Sequence, residues 1–342
     1  MKKSEVGECQ GALGSPLATL RYIQGTEMTG NDRWLTRWRQ STTSGRAKHS
    51  IKESTKAVRH PSHRPVAAIT SLTVIMAVIV IVVLAVTSTS LAPSTTVTLP
   101  IQHGTQPAPY PVGTLDKSAP SGMSLPSPNA MPGYMMTFST DFPGDLLPTG
   151  WNKYRGQPLG VPGAEFATAH VVVSGGLLRI NTWRDPAYQN RWVTGGVCQC
   201  RTPSIYGAYF VRSRVTGGGA TSVELLWPAS NTWPPELDFN ENAGLLTSTT
   251  STVHFGPTNQ VDQRKLFINM TKWHTWGVIW SPRSIKYVVD GVVWGTINEV
   301  GEIPTVPMRL DLQQQTACQQ GRLCPTAPVS LLVSWVAEYH AT

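Results

Sequence analysis

From about residue 134 to its end, the 342-residue chain is predicted to fold as an all-β sandwich or jelly roll. Three observations carry that prediction. Short runs of β-branched and aromatic residues alternate with Gly, Pro, Asn and Asp, as in H-V-V-V-S-G-G-L-L-R-I-N-T-W, Y-G-A-Y-F-V-R-S-R-V, S-V-E-L-L-W and V-S-L-L-V-S-W-V-A-E-Y. Apolar patterns with a helical period, which need about ten residues or more, are missing there. The run I-K-Y-V-V-D-G-V-V-W-G-T reads as a hairpin, with Asp290-Gly291 supplying the positive φ of its turn.

The segments before this region read differently. Residues 1–65 hold 12 Lys and Arg against 5 Asp and Glu, while the other 277 residues hold 16 against 15. The formal charge of +8 therefore belongs to a polar N-terminal tail, expected to be disordered. Val66–Val86 is a run of 21 residues without a charge. About 20 such residues cross a bilayer core as a helix, so this run is predicted to be a transmembrane helix. Arg46, Lys48, Lys52, Lys56, Arg59 and Arg64 precede it, and no Lys or Arg follows until Lys117. The positive-inside rule then puts the N-terminus in the cytoplasm and the rest outside, as a single-pass signal anchor. Secretion after cleavage is the alternative. A basic tail that abuts a membrane span argues against nucleic acid as its partner, and no protein partner is implied. Residues 87–133, rich in Pro, Ser, Thr and Gly, read as a linker.

Cysteine usage agrees with export. Cys198, Cys200, Cys318 and Cys324 form an even set in a compartment that oxidises thiols. Two of their three connectivities span the chain. The third closes Cys318–Cys324 locally and leaves Cys198 to Cys200, a link expected to be strained because alternate residues of a strand sit roughly 6.5–7 Å apart. No His neighbours either pair, so cysteine ligation of a metal is not expected.

The chemistry is expected in W-P-P-E-L-D-F-N-E, Trp233–Glu241, where Glu236, Asp238 and Glu241 stand without a basic residue among them. Strand alternation puts Glu236 and Asp238 on one face and turns Glu241 away. One extra residue, a β-bulge near Phe239-Asn240, returns Glu241 to that face. Three carboxylates together cannot all ionise comfortably. Such a set suits glycoside hydrolysis, which needs an ionised nucleophile and a protonated acid. A solvated acidic face or a calcium site would use the same residue types.

With this motif in place, the chain resembles the family 16 glycoside hydrolases, the laminarinase and endo-β-glucanase group. Asp141-Phe142 with W-N-K-Y-R-G-Q-P-L-G is similar to the family's opening. Y-G-A-Y-F-V-R-S-R-V, the acidic strand in its bulged form, W-H-T-W-G-V-I-W-S-P-R-S-I-K-Y-V-V-D-G and L-L-V-S-W-V-A-E-Y follow in the family's order over roughly 138–340. The resemblance implies a concanavalin-like β-jelly roll of two curved antiparallel sheets. It implies Glu236 as nucleophile, Glu241 as acid/base and Asp238 between them as a tuning group. The expected activity is that of a membrane-anchored retaining endo-β-glucanase on β-1,3- or mixed-linkage glucans. A transglycosylase using the same covalent intermediate, or a glucan-binding module without turnover, are the alternatives.

Ten of the 12 tryptophans lie beyond residue 150, and indoles suit the apolar faces of sugar rings. Trp227 and Trp233 are expected as cleft platforms. His254 matches a cleft histidine of the family pattern. Trp183, Arg184 and Tyr188 are candidates for distal subsites, and Gln313, Gln314 and Gln315 supply amides of which one or two would face the cleft. Trp276 and Trp280 share a face of one strand and are expected in the core. Asn240 departs from the apolar residue common in the bulge, and Ser334 stands where many members carry an Asp that helps bind a structural calcium. No cofactor and no resident metal are therefore expected.

Overall fold

The computed structural model describes residues 95–97, 109–158 and 161–342. The tail, the apolar run 66–86 and most of residues 87–108 lie outside the described residues. Among the described residues no helix is long and apolar enough to cross a membrane.

Two sheets face each other. The first runs, in spatial order, through Thr95–Val97, Gln260–Phe267, Ser248–Phe255, Glu236–Glu241, Thr221–Pro228, Met308–Gln315, Gly196–Gln199 and Trp151–Lys153. The second runs through Val292–Ile297, Ser284–Val289, His274–Ser281, Gly207–Val215, Val329–Ala341, Leu178–Asp185 and Val171–Val173, with Tyr134–Thr140 and Arg191–Val193 added at its side. Every pairing within these sheets is antiparallel except that of Thr95–Val97 with Gln260–Phe267. The predicted hairpin is present: Val289 pairs with Val292 across a turn in which Asp290 and Gly291 have φ of 47° and 81°.

Period-two alternation decides which side chains lie between the sheets. Leu226, Leu237, Phe239, Val253, Leu310 and Leu312 of the first sheet pack on Tyr209, Val211, Trp276, Val278 and Trp280 of the second. Trp276 and Trp280 are core residues, as expected. The neighbouring positions of the first sheet point out of this core. Val223, Leu225 and Trp227 gather there with Tyr154 and Phe166 in a separate cluster. That outward face carries the site.

The outer face of the second sheet is covered by residues that composition assigns to the linker. Within 109–133, Tyr110, Leu125 and Met131 pack against Phe210, Trp335 and Tyr339. Arg212 donates from Nε to Ser121 Oγ at 3.1 Å, and Thr275 Oγ1 donates to Val112 O at 3.0 Å. The folded region thus begins well before 134. A chain that crosses a sheet in turns buries single apolar residues and needs no hydrophobic period, so period alone misses it.

The disulfides are the two local ones, Cys198–Cys200 and Cys318–Cys324. The expected obstacle does not arise, because the strand ends at Gln199 and the chain leaves extended geometry there. The Cα atoms of Cys198 and Cys200 are 5.2 Å apart, within the range a disulfide spans.

Candidate active site

The acidic strand carries the bulge that the residue spacing demands. Asp238 pairs with Leu225 and Asn240 with Glu224, so Phe239 is an extra residue against the neighbouring strand. On the other side, Asp238 pairs with Thr252 and Glu241 with Thr250, again one residue in excess. Phe239 stays in the core, and Glu241 comes opposite Val223 on the outward face. Two rows result. Asp238, Leu225 and Asp311 lie side by side across three strands, as do Glu241, Val223 and Gln313.

Asn240, the departure from the family pattern, has a polar environment made for it. It is buried, accepts from Thr249 Oγ1 at 2.6 Å and pairs with Glu224, whose carboxylate accepts from Ser213 of the second sheet. The underside of the bulge is thus a hydrogen-bonded layer between the sheets.

On the outward face, Glu236 and Asp238 are each 3 % exposed and His254 is fully buried. Trp233 Nε1 donates to Glu236 Oε2 at 2.7 Å. His254, which pairs with Glu236 across the strands, has Nδ1 2.9 Å from Asn259 Oδ1 and Nε2 3.5 Å from Asp238 Oδ2. Burial and then the charge of Asp238 hold the Glu236 carboxyl well above its ordinary range, while the Trp233 N–H works the other way. Burial and Asp238 likewise push Glu241 up to about 7, with His254 and Arg322 opposing. Burial lowers the His254 pKa, but the neighbouring Asp238 and the hydrogen bond to Asn259 outweigh this and leave it raised. The set therefore retains a proton near neutrality. A nucleophile must be ionised, and the Trp233 N–H is the group that favours the Glu236 anion. Glu241 is poised as an acid.

The predicted binding residues divide into three groups. Trp233, His254, Gln313 and Gln315 join the carboxylates. Trp233 is partly exposed, with its ring centre 5.9 Å from that of His254. Gln313 and Gln315 pair with Val223 and Thr221 and so share the face of Glu241, and their Oε1 atoms are buried without a partner among the described residues. Gln314 points between the sheets, hydrogen-bonded to Thr182 and Ser222 at 2.9 Å each.

Trp227 lies on the correct face but is no platform. It is fully buried, and its Nε1 donates to Asn231 Oδ1, which also accepts from Arg309. The loop after it folds back as a lid, so Trp227 supports the floor of the site. Trp183 and Arg184 lie in the second sheet with local contacts. Trp183 stacks on His170 at 3.4 Å, and Arg184 lies over Trp192 and donates to Asn190 O. Tyr188 O accepts from Arg191.

Three residues of the site escape the motif reading. Asp311 is fully buried beside Arg309 and Tyr154, and burial raises it to about 6 against the pull of Arg309. A charged pair inside the apolar strand M-R-L-D-L was the available signal. Tyr154 reaches this row only because Gly196 has no side chain, since a Cβ there would meet the Tyr154 ring at 2.5 Å. Arg322 acts on Glu241 from the loop closed by Cys318–Cys324, and nothing local in the sequence announces it. Beside Trp233 opens a cavity of about 420 Å³ whose walls include Pro235, Phe255, Pro257, Glu302 and Ile303.

Residues 165–321 match the model of the family described as Glycosyl hydrolases family 16. No curated protein sequence matches the chain. Among solved structures, the laminarinase from Rhodothermus marinus superimposes with a TM-score of 0.55 at 19 % identity, covering 61 % of this chain and 98 % of that one. The endo-β-1,3-glucanase from Pyrococcus furiosus gives 0.53 at 18 %, covering 61 % and 95 %. A β-1,3-1,4-glucanase (lichenase) derived from a mouse hindgut metagenome gives 0.51 at 19 %, covering 60 % and 99 %. At these identities the superpositions establish the shared sandwich. The family match, over residues 165–321, includes the bulged acidic strand and supports glycoside hydrolysis as the chemistry of this site.

Proposed function

We propose that the chain cleaves internal β-1,3- or mixed-linkage glucosidic bonds with retention of configuration. The observation that carries this reading is the bulge, which sets Glu236, Asp238 and Glu241 on one face of one strand. The Glu236 carboxylate attacks the anomeric carbon while Glu241 gives its proton to the departing glycosidic oxygen. Glu241, now ionised, takes a proton from water. The resulting hydroxide oxygen bonds to the anomeric carbon, and the ester to Glu236 breaks. Asp238 and His254 lie side by side next to the nucleophile, and Trp233 stabilises its anion. Gln313 and Gln315, with acceptor oxygens left unpaired, are suited to sugar hydroxyls. The named substrates of the similar structures, β-1,3- and mixed-linkage glucans, support the choice of linkage.

Release of reducing ends from laminarin and lichenan, with agarose and chitin as controls, tests the activity. Cleavage of neither glucan refutes it. We also propose that Val66–Val86 holds the enzyme on a membrane with its sandwich outside, since the run is uncharged and its flanks are asymmetric in Lys and Arg. The full-length protein should then stay in the membrane pellet after alkaline extraction, and its appearance in the supernatant refutes the anchor.

A further inference from the structure

We propose that Glu236, Asp238 and His254 also bind a first-row divalent cation of the Zn2+ class, which would then occupy the place the substrate needs. Each of the three offers one ligand atom, and these atoms all lie within 4.8 Å of one another. Tetrahedral Zn2+ with bonds of about 2.0–2.2 Å holds neighbouring ligand atoms roughly 3.4 Å apart. His254 Nε2 and Asp238 Oδ2 are already 3.5 Å apart. Closing the set therefore asks a carboxylate to move by roughly 1 Å.

A second observation points to a ligand. Asp238 Oδ1 and His254 Nε2 are buried and have no hydrogen-bond partner among the described residues, although both side chains are more than nine-tenths buried. Unpaired polar atoms in such a place are costly, and a bound cation would satisfy both. The imidazole is also oriented for it. Nδ1 lies 2.9 Å from Asn259 Oδ1, an acceptor, which keeps the hydrogen on Nδ1 and leaves Nε2 turned to the carboxylates. A metal-ligating histidine is held in this way, by a partner on its other nitrogen. One imidazole nitrogen with two carboxylate oxygens suits Zn2+ and its neighbours, whereas calcium takes six to eight oxygens. The reaction proposed above uses no ion, so an ion bound to Glu236 would inhibit.

The test titrates Zn2+ alone into the full-length chain by calorimetry, beside His254→Gln and Asn259→Ala. The histidines of the N-terminal tail are common to all three proteins, so differences report on this site. The wild type should bind one Zn2+ more per chain than His254→Gln. In Asn259→Ala the same site should weaken about 10–100-fold. Equal stoichiometry and affinity in wild type and His254→Gln overturns the proposal. If His254→Gln fails to fold, an unchanged affinity in Asn259→Ala overturns it instead. The readout is binding, so a failure here is separable from a failure to cleave glucan.

Discussion

Glu224→Gln should change how the stability of the sandwich depends on pH. Glu224 is fully buried between the sheets, opposite Asn240 of the bulge. One carboxylate oxygen accepts from Ser213, and the other is buried without a partner among the described residues. Burial raises its pKa from 4.5 to about 8, with the neighbouring Ser213 and Asn240 opposing. Between these values the folded protein keeps the proton and the unfolded chain has released it. The unfolded state then binds fewer protons, so stability falls as pH rises from about 4.5 to about 8 and levels off above. Over pH 5 to 8 the loss comes to about 4 kcal/mol, at about 1.4 kcal/mol per pH unit. A carboxamide cannot ionise, so the variant lacks this slope. Glu338, also pushed up to about 8 by burial, has the same sign but is present in both proteins. Urea unfolding of both proteins at pH 5 and pH 8, with the m-value unchanged, measures the difference. The variant should gain several kcal/mol on the wild type between the two pH values. Parallel profiles would refute the assignment of a buried neutral carboxyl at this position.

Three further outcomes concern the site. Glu236→Gln and Glu241→Gln should each lower kcat by at least about 10²–10⁴-fold while the protein still folds and binds glucan, as steady-state kinetics and pull-down on insoluble glucan would measure. Undiminished activity in Glu236→Gln rejects its role as nucleophile. The pH profile of kcat/KM should fall on the alkaline side near pH 7, because Glu241, raised to about 7, must hold its proton to act as the acid. A plateau up to pH 9 would place the acid elsewhere. Trp233→Phe removes the donor 2.7 Å from Glu236 and should move the acidic limb of the same profile to higher pH, since the anion loses its hydrogen bond. An unmoved limb would show that the indole acts on the substrate only.

Much of this site was legible before any coordinates, because its logic is local. Side chains alternate along a strand whatever surrounds it, so E-L-D-F-N-E could place three carboxylates together only through an added residue, and the register shows that residue at Phe239. The Asp290-Gly291 turn and the two core tryptophans followed from equally short-range rules. Other features depended on what lies across the sheet. Alternation put Trp227 on the functional face, but only the returning loop, whose Asn231 is held by Trp227 and by Arg309 of the adjoining strand, decides that it is covered. Composition marked 109–133 as linker, and only the apolar outer face of the second sheet gives Met131 and Leu125 something to bury against. Asp311, Tyr154 and Arg322 reach the site through pairings and a disulfide loop that join distant parts of the chain. Spacing along the backbone thus determined which groups share a face, and tertiary packing alone decided which of them meet solvent, a partner or each other. Burial and charge, the quantities that tune these carboxylates, are sums over neighbours that the linear order does not contain.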